Sequence, residues 1–154
     1  MVFYYSRSGK TKLFAQAVGE VVGYNVQELE SALNDKSPFA FIIKSLGLTF
    51  SQKSFPVSNM PSALPQEIYV CSPIWGGQVA APVKYFLENA KLQDTTVHFI
   101  LTASVPVEKY RQNALNLLQK ISCITGNAYI FATSSKITPE IDVIKEQFQE
   151  LINT

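Results

Sequence analysis

Five short apolar runs alternate with amphipathic segments along this chain, and that alternation limits its possible folds more than any other feature. The runs are rich in β-branched and aromatic residues and are predicted strands. They cover residues 2–5, 24–29, 67–71, 96–101 and 128–132. The intervening segments carry apolar residues at helical spacing and are predicted helices. They cover residues 10–22 and 81–90, a stretch from about 107, and a stretch that follows residue 140.

Strands that alternate with helices indicate an α/β fold, and right-handed crossovers leave few topologies for it. We predict three layers: a doubly wound, five-stranded parallel sheet in the order 2-1-3-4-5, with helices on both faces. A crevice is expected at the carboxyl ends of strands one and three, where the strand order reverses. The 154 residues form most simply one domain, residues 1–154.

Residues 35–65 fit this scheme least well. Within them, residues 39–48 resemble a short amphipathic helix, and residues 51–65 are rich in Ser and Pro and are predicted to form a long loop.

Composition bears on which kinds of partner the chain binds and on the cellular compartment in which it is found. The formal net charge is +1, from 13 Lys and Arg against 12 Asp and Glu, so the chain lacks the excess of basic residues that favours nucleic acid. No apolar stretch is long enough to span a bilayer, and no basic leader precedes an apolar run at the start. Cys71 and Cys123 are too few for a disulfide framework. We therefore expect a cytoplasmic protein with no membrane span and no nucleic-acid partner.

The turn between the first predicted strand and helix is suited to hold a phosphate. It comprises Ser6, Arg7, Ser8, Gly9, Lys10 and Thr11. The first N–H groups of a helix have no partner inside it, and the helix dipole adds positive potential there. The hydroxyls in the turn can donate hydrogen bonds, and Gly9 lets the backbone curl around an anion. The sequence therefore predicts a monophosphate site at the start of the first helix.

Two other interpretations of this turn remain open. Gly9, Lys10 and Thr11 resemble the end of a nucleoside-triphosphate P-loop, but that motif needs a glycine where this chain has Tyr4. The turn could also be an ordinary helix start that Ser8 caps, with no ligand.

Two further loops follow the third and fourth predicted strands. The first contains Pro73, Ile74, Trp75, Gly76 and Gly77, and the second contains Thr102, Ala103 and Ser104. Trp75 is the only tryptophan of the chain, and an exposed indole is a flat platform for a planar ring. As an isolated residue, Trp75 could equally be a partly buried core residue. Small residues in the second loop leave room for a flat ligand. Together the three loops suit a ligand with a phosphate at one end and a fused ring at the other, which is the shape of flavin mononucleotide (FMN).

On these residues the chain resembles the flavodoxin-like family, in its short form and over essentially its whole length. Residues 5–11 are similar to the FMN phosphate loop of the family, and residues 72–77 to the loop that flanks the isoalloxazine ring. The resemblance implies an FMN-binding redox protein that holds its flavin non-covalently.

The resemblance also implies roles for single residues. Ser6, Ser8 and Thr11 would hold the phosphate, and Trp75 would pack near the ring. The backbone around Gly76 would contact the flavin N5, and residues 102–104 would cover the pyrimidine edge. Arg7 and Lys10 would add attraction for the phosphate or face solvent.

Two departures from the family pattern leave the activity open. Flavodoxins that shuttle electrons are strongly acidic, and this chain is not. Its third loop also lacks the aromatic residue that covers the outer flavin face in many members, and Tyr110 follows only several residues later. The first function that we consider is electron transfer to a redox partner protein. The alternative is an FMN-dependent oxidoreductase of the quinone or porphyrinogen type, with an open flavin face and a small oxidisable substrate. A third, less favoured possibility is a flavin-free interaction module. No catalytic residue and no metal-ligand set is recognised, and His98 is expected to be structural.

Overall fold

The computed structural model describes residues 1–31, 55–121, 123–133 and 139–153. Six strands and four helices lie in this part of the chain. The elements are β1 (Val2–Tyr4), α1 (Lys10–Val22), β2 (Val26–Glu28), β3 (Glu67–Trp75), β4 (Gln78–Val79), α2 (Ala81–Asn89), β5 (Thr96–Ala103), α3 (Glu108–Lys120), β6 (Ile124–Ala132) and α4 (Ile141–Ile152).

The sheet confirms the predicted order. Its strands lie in the order β2-β1-β3-β5-β6, and each neighbouring pair is parallel. One feature was not predicted: β4 pairs antiparallel with the end of β3. The strand order reverses between β1 and β3, as expected.

Two apolar cores cover the two faces of the sheet. Because successive side chains of a strand point to opposite faces, Val70 lies in one core and its neighbours Tyr69 and Cys71 lie in the other. Helices α2 and α3 pack on the Val70 face, and α1 and α4 pack on the opposite face. The chain therefore has the predicted three layers.

The observed element bounds differ from the predicted ones mainly in β3 and β6. Strand β3 continues to Trp75, four residues past the predicted end, and β6 begins at Ile124, four residues before the predicted start. The predicted helix over residues 39–48 lies outside the described residues. Thr138, which the sequence predicts as the N-cap of the last helix because Pro139 follows it, also lies outside them. In the described part of the segment, residues 55–65 form neither helix nor strand.

The register brings three loops to one edge of the sheet. Tyr4 of β1 lies beside Cys71 of β3, and Cys71 lies beside Ile100 of β5. The loops that follow these three strands therefore emerge together. Over the residues described above, no helix is long and apolar enough to cross a membrane.

Candidate functional site

The first of the three loops ends in a helix start without a side-chain cap. The N-cap position of α1 belongs to Gly9, at φ +83° and ψ −15°, and no side-chain hydrogen bond caps the helix. Such a positive φ favours glycine. Ser8 is thus not the N-cap residue, and the first turn of α1 contains no acidic side chain. In the described part of the chain, no side-chain cap competes with an anion for the N–H groups of this turn.

A buried hydroxyl lies beside this helix start. The Oγ atom of Ser6 is buried and has no hydrogen-bond partner among the described residues. Arg7 and Ser8 are exposed, and Lys10 is half-buried. Because an unpaired buried hydroxyl is unfavourable, Ser6 points to a missing partner.

Thr11 takes a position that its sequence context does not suggest. Its side chain is buried, and its Oγ1 atom lies 2.8 Å from Oγ1 of Thr102 at the end of β5. Residues from the first and third predicted loops are therefore joined by a hydrogen bond.

The second loop is a tight hairpin between β3 and β4. Gly76 and Gly77 form its turn with φ values of +57° and +81°, and Trp75 pairs with Gln78 across it. Positive φ at both central positions is the pattern of a type I′ turn, which matches the twist of the flanking strands. The two glycines therefore serve the turn geometry.

Ser72 fastens the base of this hairpin. Its fully buried Oγ donates to the carbonyl oxygen of Pro73 at 2.9 Å and accepts a hydrogen bond from the backbone N–H of Ala80 at 3.0 Å. The segment from Pro73 to Val79 is consequently fixed at its ends as well as at its turn.

Trp75 packs partly against the apolar core on the α2 and α3 face of the sheet. Its ring meets that of Tyr5 edge to face, with centroids 5.6 Å apart and an interplanar angle of 87°. Tyr5 is wholly buried, and its burial raises the pKa of its hydroxyl to about 12. The indole is thus held in place by the residue that opens the first loop.

A cavity of about 500 Å³ lies between the second and third loops. Its walls are formed by Ile74, Gly76, Gly77, Gln78, Ala103, Ser104, Val105, Lys109, Tyr110 and Asn113. Five of the predicted site residues meet here: Ile74, Gly76, Gly77, Ala103 and Ser104. The predicted residues Pro73, Trp75 and Thr102 and those of the first loop lie outside this lining. The structure thus brings all three loops to one edge, and this cavity lies between the second and the third.

Helix α3 supplies lining residues that sequence analysis did not select. Asn113 donates from Nδ2 to the carbonyl oxygen of Gly77 at 2.9 Å. The ring of Tyr110 lies so close to Gly77 that an added Cβ would be 3.4 Å from Cε1. Tyr110 and Asn113 are three residues apart and therefore share one helix face. That spacing is the signal that could have placed both residues at the site.

The single histidine lies elsewhere. His98 stacks on Tyr69 with ring centroids 4.8 Å apart, and its Nε2 lies 3.2 Å from Oε1 of Glu67. Its Nδ1 accepts a hydrogen bond from the backbone N–H of Asn127 at 3.0 Å, so Nε2 carries the proton of the neutral ring. The described residues also contain no group of three His, Cys, Asp or Glu side chains that could hold a metal ion.

Comparisons with known proteins bear on the fold. No protein-family model matches the chain, and no curated protein is similar to it in sequence. Solved structures do resemble it. One is a protein of Bacteroides eggerthii DSM 20697 that is described as a flavoprotein by prediction. It is 16% identical with a TM-score of 0.70, and the match covers 99% of this chain and 96% of that one.

Two further solved structures extend this likeness. A flavoprotein of Lactobacillus acidophilus NCFM in complex with FMN is 20% identical with a TM-score of 0.63, covering 84% of this chain and 90% of its own. The two-electron reduced flavodoxin of Megasphaera elsdenii is 15% identical with a TM-score of 0.55. The match covers 95% of this chain and 96% of the flavodoxin. The chain therefore has the flavodoxin-like fold, which confirms the predicted fold class.

Proposed function

We propose that this chain binds FMN non-covalently and transfers electrons through it. The observation that carries the proposal is the buried hydroxyl of Ser6, which has no hydrogen-bond partner in the described part of the chain and lies beside a start of α1 without a side-chain cap there. Both groups lie where the strand order reverses, which is the usual ligand position in open α/β sheets. One structure with the same fold was solved with FMN.

The phosphate would be held by the first loop. The hydroxyl of Ser6 would donate a hydrogen bond to it, and so would N–H groups of the first turn of α1. Arg7 and Lys10 stand on the same loop and add positive charge. These groups complement a dianion, and a bound phosphate would give the Ser6 hydroxyl the partner that it lacks among the described residues.

The flavin ring would occupy the cavity between the second and third loops. Bound FMN supplies the electron chemistry, and the chain binds and orients it. The Gly76–Gly77 turn presents backbone rather than side chains to the cavity, and Asn113 fixes the orientation of the Gly77 carbonyl. Tyr110 supplies an aromatic wall.

Tyr110 favours a carrier over the alternative oxidoreductase. The quinone or porphyrinogen type of activity was considered because the third loop has no aromatic residue, which would leave the flavin face open. An aromatic side chain from α3 lies at that cavity instead. The partner would then be a redox protein rather than a small oxidisable substrate.

The charged side chains at this edge indicate the surface charge of such a partner. Arg7 and Lys10 stand on the first loop, Lys109 lines the cavity, and all three side chains carry a positive charge. A partner with an acidic docking surface fits these charges. Cys71 and Cys123 are free thiols, which supports the reducing cytoplasm as the site of action.

The proposal is tested by absorbance titration of the purified chain with FMN and with riboflavin, which lacks the phosphate. We expect FMN to bind more tightly. Ser6→Ala should weaken FMN binding by roughly tenfold or more, because a hydrogen bond to a charged group is lost, and should leave riboflavin binding unchanged. Ser62→Ala, on an exposed loop, is the control. A colourless protein that binds neither flavin would instead support an interaction module.

A further inference from the structure

The hydrogen bond between Thr11 and Thr102 joins two parts of the site that are far apart in sequence. The two hydroxyl oxygens lie 2.8 Å apart, and the side chains are 2% and 3% exposed. At such burial, a hydroxyl that loses its partner is unfavourable, so this contact holds the start of α1 against the end of β5.

Strand geometry separates Thr102 from the ring cavity. Successive side chains of β5 point to opposite faces of the sheet. Thr102 is two residues after Ile100, so both side chains point to the face where Ile100 packs in the core under α1. Ala103 points to the opposite face and lines the cavity. The hydroxyl of Thr102 therefore lies on the α1 side of the sheet.

We propose that Thr102 is a positioning residue of the phosphate site and acts through Thr11. This inference rests on the proposed binding of FMN. A hydroxyl donates one hydrogen bond and accepts two. When Thr102 donates to Oγ1 of Thr11, the single proton of Thr11 is left for an anion at the first turn of α1. A dianionic phosphate selects this arrangement over the reverse one.

The same arrangement strengthens the bond to the phosphate. A hydroxyl that accepts one hydrogen bond becomes a better donor of another, and this cooperative effect is larger at low local dielectric. Thr102 thus contributes to phosphate affinity without touching the ligand. It also ties the position of the third loop to that of the first.

The test is a set of threonine variants titrated with FMN and riboflavin. Thr102→Val keeps the shape of the side chain and removes its hydroxyl. We expect FMN affinity to fall about two- to tenfold, the range for one hydrogen bond, with riboflavin affinity unchanged. Thr102→Ser, which keeps the hydroxyl, should retain most of the FMN affinity. The control is Thr95→Val, another buried threonine, whose Oγ1 donates to the Pro65 carbonyl oxygen at 3.3 Å away from the site.

A double-mutant cycle separates positioning from a general structural role. If Thr102 acts through Thr11, the Thr11→Val variant already loses the effect, and adding Thr102→Val should not lower FMN affinity further. The ³¹P resonance of bound FMN should shift in Thr102→Val but not in Thr95→Val.

Three results would overturn the inference: equal losses of FMN and riboflavin affinity, additive losses in the double variant, or unchanged FMN affinity. Each is distinct from failure of the proposed function, in which the unmodified chain binds no flavin. Circular dichroism and urea unfolding of every variant show whether it folds, and the riboflavin titration provides a phosphate-independent measure for any variant of reduced stability.

Discussion

Adjacent residues Tyr4 and Tyr5 offer a matched test of how buried hydroxyls affect the stability of this fold. Both side chains are buried, at 5% and 0% exposure. The hydroxyl of Tyr4 donates to Oε2 of Glu28 at 2.9 Å, whereas that of Tyr5 has no partner in the described part of the chain. Replacing each with Phe removes one oxygen, so the two variants differ mainly in the hydrogen bond.

The expected changes in the free energy of unfolding have opposite signs. A buried hydroxyl without a partner is unfavourable by about 1–3 kcal/mol, so Tyr5→Phe should stabilise the protein by about 1–2 kcal/mol after a small packing loss. Tyr4→Phe loses a hydrogen bond to a half-buried carboxylate and should destabilise it by about 1 kcal/mol. At roughly 2–4 °C per kcal/mol for a chain of this size, Tyr5→Phe should raise Tm by roughly 2–8 °C.

Urea unfolding of the flavin-free protein is the suitable assay, because bound ligand would add its own stabilisation. Both variants should keep the m-value of the unmodified chain and move the midpoint in opposite directions. If Tyr5→Phe lowered the midpoint as much as Tyr4→Phe, the Tyr5 hydroxyl would have a favourable partner, and the reasoning from the structure would be refuted.

Two further predictions concern other buried groups. Burial, the largest cause at both residues, raises the pKa of Tyr5 and of Tyr69 to about 12 from 10, so the free energy of unfolding is insensitive to the ionisation of these groups below about pH 10 and falls as the pH rises from about 10 to 12. The urea midpoint should fall across this window, and less steeply in Tyr5→Phe; equal slopes would contradict the assignment. Gly126→Ala should destabilise the fold by about 1–3 kcal/mol, because the added Cβ would lie 2.7 Å from Nδ1 of His98 and 2.9 Å from the carbonyl oxygen of Val97. Thermal unfolding measures the loss, which His98→Ala should only partly relieve; an unchanged Tm would show that the backbone moves freely there.

Local signals predicted the parts of the fold that depend on local physics. Helix α1 spans residues 10–22 as predicted, because its apolar spacing is regular and Gly9 and Gly23 take left-handed conformations at its two ends. The strand order followed from the alternation of elements and the handedness of crossovers.

The continuation of β3 to Trp75 could not be predicted in the same way. Pro73 and the Gly76–Gly77 pair are local signals of a loop. The strand continues because Pro73 pairs with Thr102 of β5 and because the chain reverses after Trp75, so that Trp75 pairs with Gln78. Pairing with a strand that is distant in sequence overrides the local preference.

The candidate site likewise contains residues that local sequence signals predicted and residues that depend on contacts between distant parts of the chain. The residues of the turn at the start of α1 were selected because a helix start binds anions through its own backbone. Tyr110 and Asn113 were not selected, because their approach to Gly77 depends on how α3 packs beside the hairpin. The hydrogen bond of Thr11 to Thr102 spans 91 residues, and no spacing rule applies over that separation.

Contacts between the loops join the described parts of the candidate site to one another. Tyr5 at the first loop meets Trp75 at the second, Thr11 meets Thr102 at the end of β5, and Asn113 holds Gly77. Each contact crosses from one loop or its adjoining element to another, so we expect this edge to become ordered during folding rather than on binding. Because less conformational entropy is then lost when a ligand binds, a few polar contacts can give useful affinity. Ser6, whose buried hydroxyl has no partner among the described residues, would gain such a contact from a phosphate.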